Sequence, residues 1–283
     1  MTKIKKKKSP FLLRAGKWLL LLALLAGFFW CEQNLIQTEV IEVKGAPSAF
    51  DGLRVAVVSD LHGKEFGEGN RALLSETAKL NPDLIVITGD LVREEEEFAI
   101  VPPLASGLAG LAPTYYVTGN HEWAGKHVPE LKKLLTDCGV HVLSNEWVAF
   151  ERGGQKLVLL GADDSNGRAD QKTIAQLAHE ARASEGETAF LLLLSHRNNR
   201  YQTYVEAKID LTLCGHAHGG QIRLPFTDGL IGPRREWLPQ YTAGLYSLAY
   251  GQMVVSRGLG DELPAFRLFN RPHLPLVVLR AGT

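Results

Sequence analysis

"IDLTLCGHAH", residues 209–218, joins an almost unbroken apolar run to two histidines separated by a single alanine. A run of this kind, without regular polar alternation, reads as a strand covered on both faces, the situation of a sheet enclosed between other layers. His216 and His218 then stand where the strand runs out, followed by Gly219 and Gly220, which serve either as a tight turn or as a site of close approach by a ligand. The same pattern recurs upstream in "LRVAVVSD" (53–60), "DLIVITGD" (83–90), "TYYVTGN" (114–120), "KLVLLGADD" (156–164) and "AFLLLLSH" (189–196).

Segments with helical spacing lie between these runs. "NRALLSETAKL" (70–80) offers Asn70 as an N-cap and sets Leu73, Leu74, Thr77 and Leu80 on one face. A second helix is expected over 129–138, stopped by Gly139, and a third over 169–184. "NLIQTEVIEVK" (34–44) alternates like a half-buried strand, "ERGGQ" (151–155) marks a hairpin, and "QMVVSRG" (252–258) and "LPLVVLR" (274–280) read as closing strands. Strands and helices taking turns in this way specify an α/β protein. The chain shows no internal repeat or interdomain linker, so one folded domain, 33–283, is expected behind an N-terminal segment, 1–32.

Five of the six buried runs finish on residues able to bind a metal or move a proton: Asp60 with His62, Asp90, Asn120 with His121, His196, and His216 with His218. The carboxyl ends of strands in α/β sheets line the ligand crevice, so residues distant in sequence converge there. A single histidine at a strand end is most often a surface residue, and a single aspartate commonly caps a loop. Their conjunction at successive strand ends points instead to a metal site. Nitrogen and oxygen donors without a thiolate favour Mn, Fe, Zn or Co, and so many histidines argue against Mg or Ca. The three cysteines, Cys31, Cys138 and Cys214, form no disulfide or zinc-ribbon spacing. Cys138 and Cys214 read as core residues.

The blocks "DLH", "GD", "GNHE", "SH" and "GHAH", in this order, resemble the signature of the calcineurin-like metallophosphoesterases. The likeness runs from 53 to about 222, and "VSRGLG" (255–260) with "FRLFNRPHLPLVVL" (266–279) is similar to the C-terminal segment of the family's membrane-associated bacterial branch. The resemblance implies a four-layer α/β/β/α sandwich with two divalent metal ions. On the matching positions, Asp60, His62 and His218 would hold one metal, Asn120, His196 and His216 the other, and Asp90 would bridge them. Two cations about 4 Å apart need such an anionic bridge. A water shared by the pair would lose its proton near neutral pH and attack phosphorus in line. His121 resembles the family's catalytic histidine, which stabilises the transition state or protonates the leaving oxygen.

Three positions depart from that pattern. Arg93 stands where many relatives carry an acid, so that either Glu94 or another acid supports His121 or the histidine works without one. "RNNR" (197–200) replaces a Pro-containing segment, and His273 replaces a common acid, changes expected to adjust substrate contacts or surface. Glu94 to Glu97 are expected to form a solvated helix start.

Residues 1–30 hold seven Lys/Arg and no Asp or Glu, which leaves 24 basic against 31 acidic residues beyond them. An acidic body is not expected to bind nucleic acid. The basic head precedes an uncharged run, Trp18 to Trp30, which reaches spanning length from Phe11 if Arg14 and Lys17 snorkel. A cleaved signal peptide and a segment lying on the membrane surface are the competing readings. Bulky residues follow the apolar run where a peptidase needs small ones, which favours an uncleaved anchor. The cations then keep the N-terminus cytoplasmic and put a single-pass protein's catalytic domain outside the cell membrane.

The long loop 223–246, with Arg234, Arg235, Trp237 and Tyr241, is expected either to rim the cleft and touch a phosphate-bearing lipid or envelope polymer near the bilayer, or to be a solvent loop packed on the sheet. The expected activity is hydrolysis of a phosphodiester or pyrophosphate, in a lipid-linked or envelope compound, in preference to a phosphomonoester. The rival is a non-catalytic metal-binding envelope module, which would have no use for His121.

Overall fold

The computed structural model describes residues 10–167, 171–224, 227–232, 235–261 and 266–282. Two six-stranded sheets form its centre. The first has the order β1 (Gln37–Ala46), β12 (His273–Ala281), β2 (Arg54–Val58), β3 (Leu84–Ile87), β4 (Thr114–Tyr116) and β5 (His141–Val142). The second runs β10 (Gly244–Ser247), β11 (Gln252–Val255), β9 (Leu211–Gly215), β8 (Phe190–Arg197), β7 (Gln155–Gly161) and β6 (Glu146–Arg152). From β2 to β5, and from β11 to β7, every neighbour is parallel. β12 is antiparallel to β2, and β6 and β7 form the expected hairpin.

The continuous apolar runs are explained by period-two burial between two different cores. Val55, Val57 and Val86 of the first sheet meet Leu159, Leu192, Leu194 and Leu213 of the second. Their neighbours Ala56, Val58, Ile85 and Ile87 point the other way, against α2 (Arg71–Lys79), α3 (Val101–Leu111) and α5 (Val128–Asp137), through Leu73, Leu104, Leu108, Leu131 and Leu135. On the far side Val158, Leu160, Leu191 and Leu193 meet Leu177, Ala178 and Ala181 of α6 (Ile174–Glu185) and Tyr204 of α7 (Tyr201–Glu206). The result is the four-layer α/β/β/α sandwich.

Several boundaries differ from expectation. Asn70 has a left-handed backbone (φ 58°) and caps nothing; its side-chain oxygen accepts from Phe66 N at 3.0 Å. α6 begins after Thr173, whose hydroxyl accepts from Gln176 N; of the helix expected from 169, residues 169 and 170 lie outside the described residues. α3 was hidden by its two prolines and two glycines, although prolines at N1 or N2 suit a first turn. Cys214 lies in the core between the second sheet and its helices, as expected. α1 (Pro10–Asn34) contains a stretch, Arg14–Asn34, long and apolar enough to cross a membrane.

Candidate metal centre

The expected ligands come from both sheets. Asp60 and His62 follow β2, Asp90 follows β3, Asn120 and His121 open α4 (Asn120–Gly125) after β4, His196 lies near the end of β8, and His216 and His218 follow β9. Asp60, His62, Asp90, His216 and His218 all take positive φ, between 48° and 67°. Each such non-glycine residue costs on the order of 1 to 3 kcal/mol, so strained backbone is concentrated here.

Three groups of side chains converge: Asp60, His62 and His218; Asp90, His196 and His216; and His62, Asp90 and His121. In each, one ligand atom per residue lies within 4.8 Å of the others. His62 Nε2 is 3.1 Å from His218 Nε2 and 3.9 Å from Asp90 Oδ2, and His218 Nε2 is 3.6 Å from Asp60 Oδ1. Around His196 Nε2 stand Asn120 Oδ1 at 3.0 Å, His216 Nδ1 at 3.1 Å and Asp90 Oδ2 at 3.1 Å. Asp90 is therefore the member common to both halves.

These contacts fit a metal better than they fit hydrogen bonding. A nitrogen cannot share one proton with three neighbours, and Asp90 Oδ2, His62 Nδ1 and His216 Nε2 are buried with no hydrogen-bond partner among the described residues. Ligand atoms about 2.1 Å from a common ion, at right angles to one another, lie about 3 Å apart. That is the spacing around His196. All donors are nitrogen or oxygen, and the Cys214 thiol, pushed well up by burial, is directed into the core instead.

Surrounding groups hold the ligands in place. His196 Nδ1 donates to Thr88 O at 2.9 Å, which turns Nε2 toward the cluster. Ser59 Oγ donates to Asp60 Oδ2 at 2.5 Å and accepts from Thr88 Oγ1 at 2.8 Å. His216 N donates to Asp60 Oδ1 at 3.0 Å, and His121 N to Asp90 Oδ1 at 2.9 Å. A Cβ at Gly119 would stand 2.2 Å from Asp90 Oδ1, and one at Gly215 2.1 Å from Asp60 Oδ2, so both positions exclude a side chain. Gly219 and Gly220, left open between two roles, have positive φ and press on Asn270 and Gly229, which makes them a turn packed against the chain itself.

Glu122 was missed. It is buried, and its two oxygens accept from Asp90 N (3.0 Å), Gly119 N (2.8 Å) and Leu91 N (2.6 Å), tying the loop after β3 to the start of α4. Burial, then the Asp90 charge, raises its pKa to about 7. The available signal was its position three residues after Gly119, the spacing of a capping box. Ser59 and Thr88 could have been found as hydroxyls inside otherwise apolar runs.

Protonation in the cluster is uneven. Burial, with the neighbouring histidines adding to it, holds His62 and His216 well below the usual imidazole value, leaving neutral rings with lone pairs to give. Burial would also lower His196, but the adjoining Asp90 carboxylate overrides it and raises that ring to about 10. Asp90, despite burial, is held well below the carboxylate range by His196 and His62. A cation entering beside Asp90 would displace the His196 proton.

His121 differs from the other histidines of the cluster in being half-exposed, while His62, His196, His216 and His218 are buried. Its ring meets that of His62 edge-on, centroids 4.8 Å apart, at the solvent side. Arg93 takes no acid's place. It donates to His62 O at 3.1 Å and to Asp261 O, and its backbone N–H binds Glu97, so Glu97 is drawn out of the solvated run while Glu94 is exposed. The run 156–164, which carries none of the candidate ligands, ends elsewhere: Asp164 makes a bidentate pair with Arg197 (2.7 and 3.0 Å), and Asp163 accepts from Lys132. In "RNNR", Asn198 is buried and its Nδ2 donates to Tyr241 O, while Asn199 and Arg200 are exposed, as a surface role expects. His273, expected to tune substrate contacts or surface, is fully buried between Arg257 N and Glu39. In the long loop, Arg235 and Trp237 are exposed, Tyr241 packs against Tyr201 and Tyr246, and Arg234 lies outside the described residues.

The profile of the calcineurin-like phosphoesterases matches residues 53–220. The uncharacterized metallophosphoesterase YkuE of Bacillus subtilis is 28% identical, over 89% of this chain and 88% of its own. Phosphodiesterase YaeI of Escherichia coli is 28% identical, over 80% of this chain and 82% of its own. A transmembrane protein with metallophosphoesterase domain from Danio rerio is 27% identical over 85% of this chain, which spans 56% of that protein's length.

Proposed function

The chain belongs to the calcineurin-like phosphoesterase family and is a metal-dependent phosphoric ester hydrolase, and on that premise we propose that it is a membrane-anchored phosphodiesterase or pyrophosphatase acting on a lipid-linked or envelope compound. Residues 1–32 are its basic head and anchor and 33–283 its catalytic domain, with the N-terminus cytoplasmic and the domain on the outer side. Asp60, His62 and His218 would hold one divalent cation and Asn120, His196 and His216 a second, with the Asp90 carboxylate available to both. The observation that carries this reading is the place of Asp90 Oδ2, 3.1 Å from His196 Nε2 in one half of the cluster and 3.9 Å from His62 Nε2 in the other, with the half-exposed His121 grouped beside His62 and Asp90.

When bound, two such cations supply a nucleophilic water and offset the charge on the phosphoryl oxygens. The chain's own residues do the rest. Asp90, kept anionic, balances the cations; the hydroxyls of Ser59 and Thr88 fix Asp60 and, through the Thr88 carbonyl, the ring of His196. His121 holds a proton at the open side and delivers it to the departing oxygen. Diester or pyrophosphate cleavage needs that proton because the leaving group is an alkoxide or a phosphate.

The test is release of 4-nitrophenol from bis(4-nitrophenyl) phosphate by the full chain with manganese. Turnover that vanishes on chelation and returns with metal supports the proposal. Stoichiometric metal binding without turnover of any diester, monoester or pyrophosphate would establish the non-catalytic module instead.

A further inference from the structure

Helix α1 is apolar around its circumference: Trp18, Leu19, Leu20, Leu22, Leu24 and Trp30 are 59–68% exposed. A helix of this composition needs a cover on every side. Its last turns, however, are fastened to the domain. The Phe28 ring meets Phe269 at 5.6 Å between centroids, and Phe29 meets Phe266 at 5.7 Å. Glu32 accepts from Asn270 N at 2.9 Å, Gln33 both donates to Arg267 O (2.7 Å) and accepts from Arg267 N (3.0 Å), and Gln33 O accepts from Lys64 Nζ.

Asn270 then reaches the metal cluster's edge, its side-chain amide donating to His218 O at 2.7 Å and Gln221 O at 3.0 Å. The path from the Glu32 carboxylate to the backbone of His218 is thus one asparagine long, on the order of 10 Å. A short ladder extends sideways from the same place. Arg223 N donates to Leu268 O, Leu230 N to Ile222 O and Leu238 N to Leu230 O, and Ile231 bridges Trp237. At about 4.8 Å between rows, the outermost row stands about 14 Å from Leu268. Ten large apolar side chains outside α1 are exposed among the described residues, and five of them, Leu224, Trp237, Leu238, Phe266 and Phe269, belong to this lobe. Trp237 at 75% and Leu238 at 69% are the most exposed of the ten.

We infer that this lobe is a second membrane-contact surface, which seats its five apolar side chains in the interfacial layer beside α1 and holds the His218 side of the cluster at headgroup depth, so that the substrate is the phosphodiester or pyrophosphate of a membrane lipid. The inference rests on the anchoring and the activity proposed above. Three physical facts commit the surface to a bilayer. The patch is continuous with the helix through two aromatic contacts; aromatic side chains favour the boundary between hydrocarbon and water; and a headgroup layer about 5–8 Å thick on each side matches the one-residue path from helix to ligand loop. A flexible tether would leave the height of the centre undetermined. The hydrogen bonds of Glu32, Gln33 and Asn270 fix it.

The experiment uses the full chain in phosphatidylcholine–phosphatidylglycerol vesicles whose lipids are brominated near the glycerol end of the acyl chains. The emission lost in Trp237→Phe isolates Trp237, and bromine is expected to quench it along with Trp18 and Trp30. In the same vesicles, phosphatidic acid is expected to inhibit hydrolysis of bis(4-nitrophenyl) phosphate at bulk concentrations about tenfold or more below inorganic phosphate, through its confinement to the membrane. The double variant Trp237→Ser, Leu238→Ser should narrow that gap while leaving diester hydrolysis in solution within about twofold.

Trp237 unquenched while Trp18 and Trp30 are quenched would overturn the surface. An unquenched Trp237 whose emission shifts to the blue with protein concentration would assign the lobe to a second copy of this chain. Phosphatidic acid no better than phosphate would overturn the headgroup placement. Failure of all three tryptophans to quench removes the anchor, and the surface with it. Quenching of all three without diester hydrolysis leaves the surface standing and sinks the activity.

Discussion

Two buried polar clusters, one at the strand ends around Asp90 and one between β1, β11 and β12 around His273, contain similar side chains and differ in how their atoms meet. At the strand ends, imidazole nitrogens face other nitrogens and oxygens at 3.0–3.1 Å, and several buried atoms have no hydrogen-bond partner among the described residues. Around His273, both ring nitrogens are paired donor to acceptor, and the buried atom left without a partner among the described residues is Arg257 Nε, not an imidazole nitrogen. Its Nδ1 accepts from Arg257 N at 3.2 Å, its Nε2 donates to Glu39 at 3.0 Å, and Arg257 Nη2 donates to Gln37 at 2.9 Å. A buried histidine whose partners complete its hydrogen bonds is a structural element; one whose neighbours offer only further lone pairs awaits a cation. Position in the sequence does not separate the two, and the reading of His273 as a tuning position failed for that reason.

The largest break in the comparison should come from Asp90→Asn, which removes the anion common to both halves. Turnover should disappear with the fold retained by circular dichroism. Manganese at about 100 times its dissociation constant should stabilise the wild-type chain by about 2.7 kcal/mol and this variant hardly at all. On an alkyl phosphodiester, whose alkoxide needs a proton to depart, His121→Gln should cut kcat by about 100-fold or more while metal content, read by elemental analysis, stays unchanged. Loss of metal together with activity would make that residue a ligand rather than a proton donor.

The second cluster should respond to acid rather than to metal. Burial lowers His273 to about 4 from an ordinary 6.5, although Glu39 opposes the shift. Between those values the unfolded chain binds a proton that the folded chain refuses, so stability falls as pH drops from about 6.5 to about 4. The loss from this group is about 3 kcal/mol, read by urea denaturation at each pH, and His273→Gln should remove that share of the acid limb while the share from His62 and His216 remains. The smallest effect is expected for Glu122→Gln, which puts an amide among three N–H donors. Metal affinity should weaken by about tenfold, measured by titration calorimetry, with Asp60 and His62 untouched.

Much of the fold was legible because a strand covered on both faces has no polar side and announces itself by its run of apolar residues, as 83–90 and 189–196 do. The convergence of eight polar residues, from Asp60 to His218, was legible because turns do not explain their types when they recur at successive strand ends, whereas their division into ligands and a proton donor came from the family resemblance. Glu122, Ser59 and Thr88 were not, since their roles consist of hydrogen bonds to backbone and side chains that only folding brings near. Nor was the fastening of α1 to Asn270, a contact across 238 positions of chain.

By itself the sequence determined which strands are covered on both faces and the chemistry of the donors, because hydrophobic patterning and donor type are properties of individual residues and their near neighbours. Only the tertiary structure decided that Asp90 lies between the two groups of donors, that both ring nitrogens of His273 are paired, and that α1 ends one asparagine from the backbone of His218. Those are distances between segments far apart along the chain, and they are set by how two sheets pack.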